Sequence, residues 1–197
     1  ITAMTPQLQG AVELAQFIKS HCHFKTKIFL GGAHISADPD FINRFAELFD
    51  YGIIGEAEKT FLDALDKLSQ KKKIPKIQKA QILENLDWLP FPDKKLIKRK
   101  LYSRRESMLF SRGCPYRCYY CSRPAIAKKV RYRSVANLMT EVKTVYKLCR
   151  GKIDFQDDTF TLNKKKVWEF CQAVKKEKLK LDWRCNTRID LVDTSLL

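Results

Sequence analysis

The first part of the chain alternates between helical and strand-like spacing. From Pro6 to Ser20, Val12, Leu14, Ala15 and Ile18 fall roughly on one face, which predicts a helix. Lys27-Ile28-Phe29-Leu30 is a short apolar run closed by Gly31-Gly32, the pattern of a buried parallel strand entering a tight turn. A second amphipathic helix is predicted from Asp40 to Leu48, a glycine-stopped strand at Tyr51-Gly52-Ile53-Ile54-Gly55, and a third helix from Glu56 to Leu68. This αβαβα order predicts part of a doubly wound parallel sheet, with opening strands expected before Ile1.

Residues 71–105 read as a linker. Lys71-Lys72-Lys73 opens it, and Pro90 and Pro92 in Trp88-Leu89-Pro90-Phe91-Pro92 forbid a continuous helix. A second module follows over 106–197. Ser107 to Ser111 reads as a strand, then comes a cysteine-bearing loop. A helix from Arg133 to Cys149 has Ser134 as a candidate N-cap. Lys152 to Gln156 reads as a strand ending in Asp157-Asp158. Asn163 is placed to cap a helix through Lys178, and Lys180 to Cys185 reads as a third strand leading to Asn186-Thr187-Arg188. A repeating β-α-β-α-β order is the start of a β/α barrel or an open parallel sheet. The predicted fold class is therefore α/β: a partial Rossmann-like domain over 1–70, a linker over 71–105, and over 106–197 the first part of a β/α barrel or of an open parallel sheet.

Composition agrees with a globular chain. Its 197 residues and 23.0 kDa suit one domain or two small ones, and 45% hydrophobic with 30% charged residues excludes disorder by composition. No apolar run is long enough for a membrane span, and no signal peptide is visible at the start. Charge is uneven. Residues 1–70 carry 6 Lys+Arg against 9 Asp+Glu, residues 71–105 carry 12 against 3, and residues 106–197 carry 20 against 10. A basic second half suggests an anionic partner: a nucleotide-like cofactor, an acidic redox protein, or nucleic acid.

Seven cysteines are present, and three of them form Cys114-x3-Cys118-x2-Cys121 within Ser111-Arg112-Gly113-Cys114-Pro115-Tyr116-Arg117-Cys118-Tyr119-Tyr120-Cys121. An odd count with no secretion signal favours a reducing, cytoplasmic setting and a metal site over a disulfide framework. Thiolates suit iron–sulfur clusters or zinc. A zinc ribbon would need a second paired Cys-x-x-Cys, which the sequence lacks. Three ligands on a four-iron cluster leave one iron open for chemistry.

This loop, set after a first strand and before a first helix, resembles the signature of the radical S-adenosylmethionine (radical SAM) superfamily. The resemblance implies Cys114, Cys118 and Cys121 as ligands of a [4Fe-4S] cluster. It also implies S-adenosylmethionine on the open iron, reductively cleaved to a 5′-deoxyadenosyl radical. Tyr120 takes the aromatic place near the adenine. Phe155-Gln156-Asp157-Asp158-Thr159-Phe160 is similar to the second-strand segment that orients the S-adenosylmethionine amino group, which assigns Asp157 and Asp158 there. Trp183 to Asp190 is similar to the third-strand segment, where Arg188 would pair with a carboxylate.

Gly31-Gly32-Ala33-His34 and Gly55-Glu56-Ala57-Glu58 resemble the cobalamin-binding domain that precedes many such cores. This implies cobalamin contacts at Gly31, Gly32, His34, Gly55 and Glu56, although that domain's usual Asp-x-His-x-x-Gly motif is absent. The implied activity is methyl transfer to an unactivated carbon, or a radical rearrangement or cyclisation. The implied partners are a small-molecule substrate and an acidic electron donor such as flavodoxin or ferredoxin.

Plainer readings stand beside these. The cysteines suit a zinc site or buried thiols. Asp157-Asp158 suits a helix-entry pair, Arg188 a surface ion pair, and Gly31-Gly32 a tight turn. His34 suits a solvent-facing loop, His21-Cys22-His23 a solvated helix end, and Cys149, Cys171 and Cys185 simple packing. Two other functions compete: a radical SAM enzyme acting on tRNA or another macromolecule, with the basic half as its footprint, and a non-catalytic iron–sulfur electron-transfer module.

Overall fold

A computed structural model describes residues 1–22, 26–94, 96, 98, 105–121 and 129–196. His23, and with it part of the His-Cys-His motif, lies outside the described residues, as does part of the linker. The chain divides into two compact units. One comprises Ile1–Leu83 with Tyr116–Lys128, and the other Glu84–Pro115 with Lys129–Leu197.

The first unit is α/β. Helix α1 (Leu8–His21) buries Ala11 and Ala15, which lie four apart on one face. Strands β1 (Phe29–Leu30), β2 (Tyr51–Ile54) and β3 (Ile77–Lys79) form a parallel sheet in the order β1-β2-β3. Phe29 pairs with Tyr51, Gly52 pairs with Ile77, and Thr2 adds a parallel bridge to Gly31. The helix predicted over 40–48 forms only as the short α3 (Phe41–Arg44), and a second short helix that the pattern does not predict, α2 (Ala33–Ala37), precedes it. Pro39 lies between them and prevents one from running into the other. Gly52 lets α3 approach the sheet, because a Cβ there would lie 2.5 Å from Ile42 Cγ1. Helix α4 (Glu58–Ser69) precedes β3. Leu30, Ile35, Ile42 and Phe49 are fully buried at the centre of this unit. Asp50 ties the sheet to α1. It accepts from Lys19 Nζ and Lys27 Nζ, each at 2.8 Å, and from the Ile28 amide at 2.9 Å.

Strand β3 lies inside the stretch predicted to be linker. It is three residues long, sits at the sheet edge, follows Lys76 and ends in Lys79, so composition conceals it.

The second unit is built on a parallel sheet ordered β4-β7-β8: β4 (Glu106–Met108), β7 (Lys152–Phe155) and β8 (Asp182–Cys185). Two residues beyond β4, β5 (Ser111–Arg112) pairs antiparallel with β6 (Arg131–Tyr132), a ribbon that the apolar pattern does not announce. Helix α5 (Val135–Cys149) joins β6 to β7 and α6 (Lys164–Lys176) joins β7 to β8. Both predicted caps form. Ser134 accepts from the Asn137 amide, and Asn163 from the Lys166 amide, each at 3.1 Å. The core between sheet and helices is largely aromatic, with Phe155–Phe160 ring centroids 4.7 Å apart and Phe160–Trp183 5.1 Å apart.

The proline-bearing segment serves this unit as well. Asp87 accepts the Ser134 amide at 2.8 Å, and Lys94 pairs with buried Glu106 at 3.4 Å. Arg133 connects the same parts: its Nη1 reaches Glu141 at 2.5 Å and the Leu109 carbonyl at 3.0 Å, and its guanidinium lies over the Phe91 ring. A cavity of about 230 Å³ remains beside β4, lined by Leu89, Phe91, Met108, Arg133 and Gln156 among others. No helix among the described residues is long and apolar enough to cross a membrane.

Candidate functional site

In the second unit, the residues after β7 meet those leading into the cysteine loop. Asp157 is buried, with 1% of its surface exposed. Its Oδ2 accepts the Phe110 amide at 3.0 Å, and its Oδ1 accepts the Ser111 amide at 2.5 Å and the Ser111 hydroxyl at 2.6 Å. Burial raises its pKa above the ordinary carboxylate range, and the bonds from Phe110 and Ser111 oppose that shift without cancelling it. Tyr132, half-buried nearby, is pushed up to about 12 by burial and then by the charge of Asp157. Asp157 thus holds the chain entering the cysteine loop. Asp158, the next residue, is half-buried.

Gly113 has a φ of 94°, a left-handed conformation that glycine adopts without strain, and it turns the chain into Cys114. Cys114 Sγ lies 3.5 Å from Thr159 Oγ1, and Thr159 is itself 4% exposed. Cys118 and Cys121 are joined by a turn in which the Cys121 amide donates to the Cys118 carbonyl at 3.0 Å. Tyr120, between them, is 91% exposed, so both ring faces are open. None of the seven cysteines is in a disulfide; Cys114 and Cys118 are half-buried and Cys121 is exposed.

Three accessible soft donors on one short loop fit the needs of an iron–sulfur cluster. Among the described residues, no three His, Cys, Asp or Glu side chains converge to hold a single metal ion. A cubane takes each thiolate on a different iron, so its ligands need not converge.

Arg188 and Asp190 form a two-point pair, Nε to Oδ1 and Nη2 to Oδ2, each at 3.0 Å. Cys185 ends β8 partly buried, and its pKa is raised by burial and then by the charge of Asp157. Cys149 is buried and Cys171 half-buried against the core.

In the first unit, Gly31, Gly32, Gly55 and Glu56 line one cavity of about 830 Å³ at the carboxyl ends of β1 and β2, walled otherwise mainly by apolar residues such as Ile28, Leu30 and Phe61. Gly32, with φ 103°, is required by the fold: a Cβ there would lie 2.6 Å from the Ala3 carbonyl. A Cβ on Gly31 would meet nothing closer than Ile53 O at 3.8 Å, so its bare backbone is an open part of the cavity wall. His34 is not among the lining residues. Its Nδ1 lies 3.0 Å from Thr5 Oγ1, and its Nε2 lies 3.8 Å from Asp38 without a hydrogen bond. His21 is exposed at the end of α1, with its ring stacked on Phe17.

The alternation along β7 carries a signal for part of this arrangement. Ile153, Phe155 and Asp157 share the buried side, while Asp154 and Gln156 face away. That period places Asp157 inward. Thr159 and the two donors of Ser111 have no comparable sequence signal.

Residues 108–193, from β4 to just past β8, match the family model of the radical SAM superfamily. Over this segment the chain is similar to the radical SAM superfamily. It is 28% identical to an uncharacterised methyltransferase of Pyrococcus horikoshii over 211 residues, covering 96% of this chain and 46% of that protein. It is 24% identical to an anaerobic magnesium-protoporphyrin IX monomethyl ester cyclase of Rubrivivax gelatinosus, covering 95% of this chain and 38% of that protein. Among solved structures it resembles the radical S-adenosylmethionine methyltransferase TsrM of Kitasatospora setae with cobalamin and a [4Fe-4S] cluster bound. The TM-score is 0.71 at 17% identity, over 87% of this chain and 38% of that one. At that identity the likeness is one of fold. The chain spans less than half the length of each of these proteins.

Proposed function

We propose that this protein is a radical SAM methyltransferase acting on a small molecule, with Cys114, Cys118 and Cys121 holding a [4Fe-4S] cluster and with cobalamin as a second cofactor. The observation that carries the reading is the Cys114-x3-Cys118-x2-Cys121 spacing inside a segment that matches the radical SAM superfamily. When bound, the cluster supplies one electron for cleavage of S-adenosylmethionine.

The chain's own residues bind and orient. Three thiolates hold the cluster and leave one position for the amino and carboxylate groups of the nucleotide. The exposed ring of Tyr120 offers a face to the adenine. Asp158 is the carboxylate assigned to the ammonium, because Asp157 has its oxygens engaged by Phe110 and Ser111. Arg188 reaches a carboxylate of the nucleotide by releasing its exposed pair with Asp190, an exchange that costs little at a solvated site.

Two observations support cobalamin. Gly31, Gly32, Gly55 and Glu56 share one cavity at strand carboxyl ends, where open α/β sheets bind ligands, and the similar fold of TsrM carries cobalamin. His34 faces Thr5 rather than that cavity and has no part in the proposal. The basic second half supports docking of an acidic electron donor such as flavodoxin or ferredoxin, in the cytoplasm.

Anaerobic reconstitution of the whole protein with iron and sulfide tests this reading. The expected results are about four irons per chain, an EPR signal on reduction that changes when S-adenosylmethionine is added, and corrinoid absorbance. Formation of S-adenosylhomocysteine would mark methyl transfer, whereas 5′-deoxyadenosine alone would point to cyclisation or rearrangement. Zinc in the loop, or a cluster indifferent to S-adenosylmethionine, would overturn the proposal.

A further inference from the structure

Thr159 has no role in the sequence pattern, yet it is the buried residue whose hydroxyl meets a proposed cluster ligand. Its Oγ1 lies 3.5 Å from Cys114 Sγ, within hydrogen-bond range for sulfur. A threonine hydroxyl both donates and accepts, whereas a thiolate only accepts. Once Cys114 is ionised as a ligand, the direction is settled, and Thr159 donates.

The hydroxyl is also held in place. Two residues earlier, Asp157 is fixed by the Phe110 and Ser111 donors. One residue later, the Phe160 amide donates to the Asn186 carbonyl at 2.9 Å, and the Phe160 ring is fully buried among Phe110, Phe155 and Trp183. The Thr159 carbonyl itself accepts from the Leu162 amide. Segment 157–160 is therefore anchored on both sides of Thr159. The same segment braces the cysteine loop twice, through Asp157 at its entry and through Thr159 at its first cysteine.

Hydrogen bonds to ligand sulfurs are one of the means by which a protein sets the potential of an iron–sulfur cluster, because they withdraw charge from the thiolate and favour the reduced, more negative state. We propose that Thr159 is a positioning residue that donates a hydrogen bond to the Cys114 sulfur and raises the reduction potential of the cluster held there. This inference rests on the cluster assignment above, and the test separates the two.

The experiment is an EPR-monitored redox titration of the reconstituted whole protein, with iron content and circular dichroism measured alongside, for wild type, Thr159→Val and Thr159→Ser. Valine keeps the shape and removes the donor; serine keeps the donor and removes a methyl group. The expected result is a more negative midpoint potential in Thr159→Val and a return toward wild type in Thr159→Ser. A folded Thr159→Val that loses iron while Thr159→Ser retains it also supports the hydroxyl's role.

An unshifted potential in Thr159→Val at wild-type iron content would overturn the proposal. So would equal shifts, or equal iron loss, in both variants, since that would make Thr159 a packing residue. Should Thr159→Val fail to fold, Thr159→Ala serves as the donor-free variant under the same criteria. Wild-type protein without iron would instead defeat the cluster assignment itself.

Discussion

Ser111 gives both of its donors, amide and hydroxyl, to a single oxygen of Asp157, at 2.5 and 2.6 Å. Three residues before the first cysteine of the loop, the backbone is thus fixed by the segment that follows β7. Removing the carboxylate leaves the Phe110 amide and both Ser111 donors buried without acceptors, and each orphaned group costs about 1–3 kcal/mol. Asp157→Ala should therefore destabilise the protein by at least about 3 kcal/mol. Asp157→Asn, which keeps one acceptor oxygen, should cost less. Urea denaturation measures both, and iron retention after reconstitution should fall in the same order.

The Arg133–Glu141 pair is 2.5 Å long, with side chains only 10% and 5% exposed. Breaking one partner leaves a buried charge, so Arg133→Ala or Glu141→Ala should cost about 3–5 kcal/mol. The double change Arg133→Met with Glu141→Leu removes both charges and should recover most of that loss. A double-mutant cycle by denaturant titration would show a large coupling energy; additive effects would mean that the pair contributes nothing specific.

Burial acts to raise the pKa of Asp50, but the bonds from Lys19 and Lys27 and from the Ile28 amide outweigh it, leaving a net lowering. A carboxylate with a depressed folded-state pKa stabilises the fold above its unfolded value of about 3.9. That contribution disappears as pH falls through the lower folded value. Stability measured from pH 6 downward should decline less steeply in Asp50→Asn than in wild type, and Asp50→Asn should be the less stable of the two at neutral pH.

Gly32 carries a positive φ, and a Cβ there would lie 2.6 Å from the Ala3 carbonyl. Because both the conformation and the contact involve backbone, no side chain can move aside. Gly32→Ala should lower stability by more than about 2 kcal/mol. Gly31→Ala, with its nearest contact at 3.8 Å, should leave stability near wild type. It would project a methyl group into the cavity beside Gly55 and Glu56, so corrinoid absorbance of the reconstituted protein should fall in Gly31→Ala although the fold persists.

The helices with strong periodicity and caps, α5 and α6, were legible because burial and capping follow local sequence: Ser134 and Asn163 stand where their side chains reach the first free amides. Strand β3 and the β5–β6 ribbon were not, because two or three residues contain too little pattern to separate from a loop. Within the site, the cysteine spacing was legible because three ligands of one type on a short loop are rare by chance. Asp157 stands just past the strand end that the apolar pattern predicts, but its partners carry no local signal, since Ser111 lies 46 residues away and such contacts follow from the sheet order β4-β7-β8. The planar fork of Arg188 suits a carboxylate, and its neighbour Asp190 takes that fork locally. Thr159 gave no signal, because a threonine after two aspartates is unremarkable until the fold brings it to Cys114.

The segment from Glu84 to Lys94 belongs physically to the second unit, through Asp87 on the Ser134 amide, Lys94 on Glu106 and Phe91 beneath Arg133. Anyone excising that unit for separate study should cut ahead of Glu84. A fragment starting at Glu106 would keep every residue of the matched family segment, yet it would strip the cover from β4 and leave the Glu106 carboxylate without its lysine.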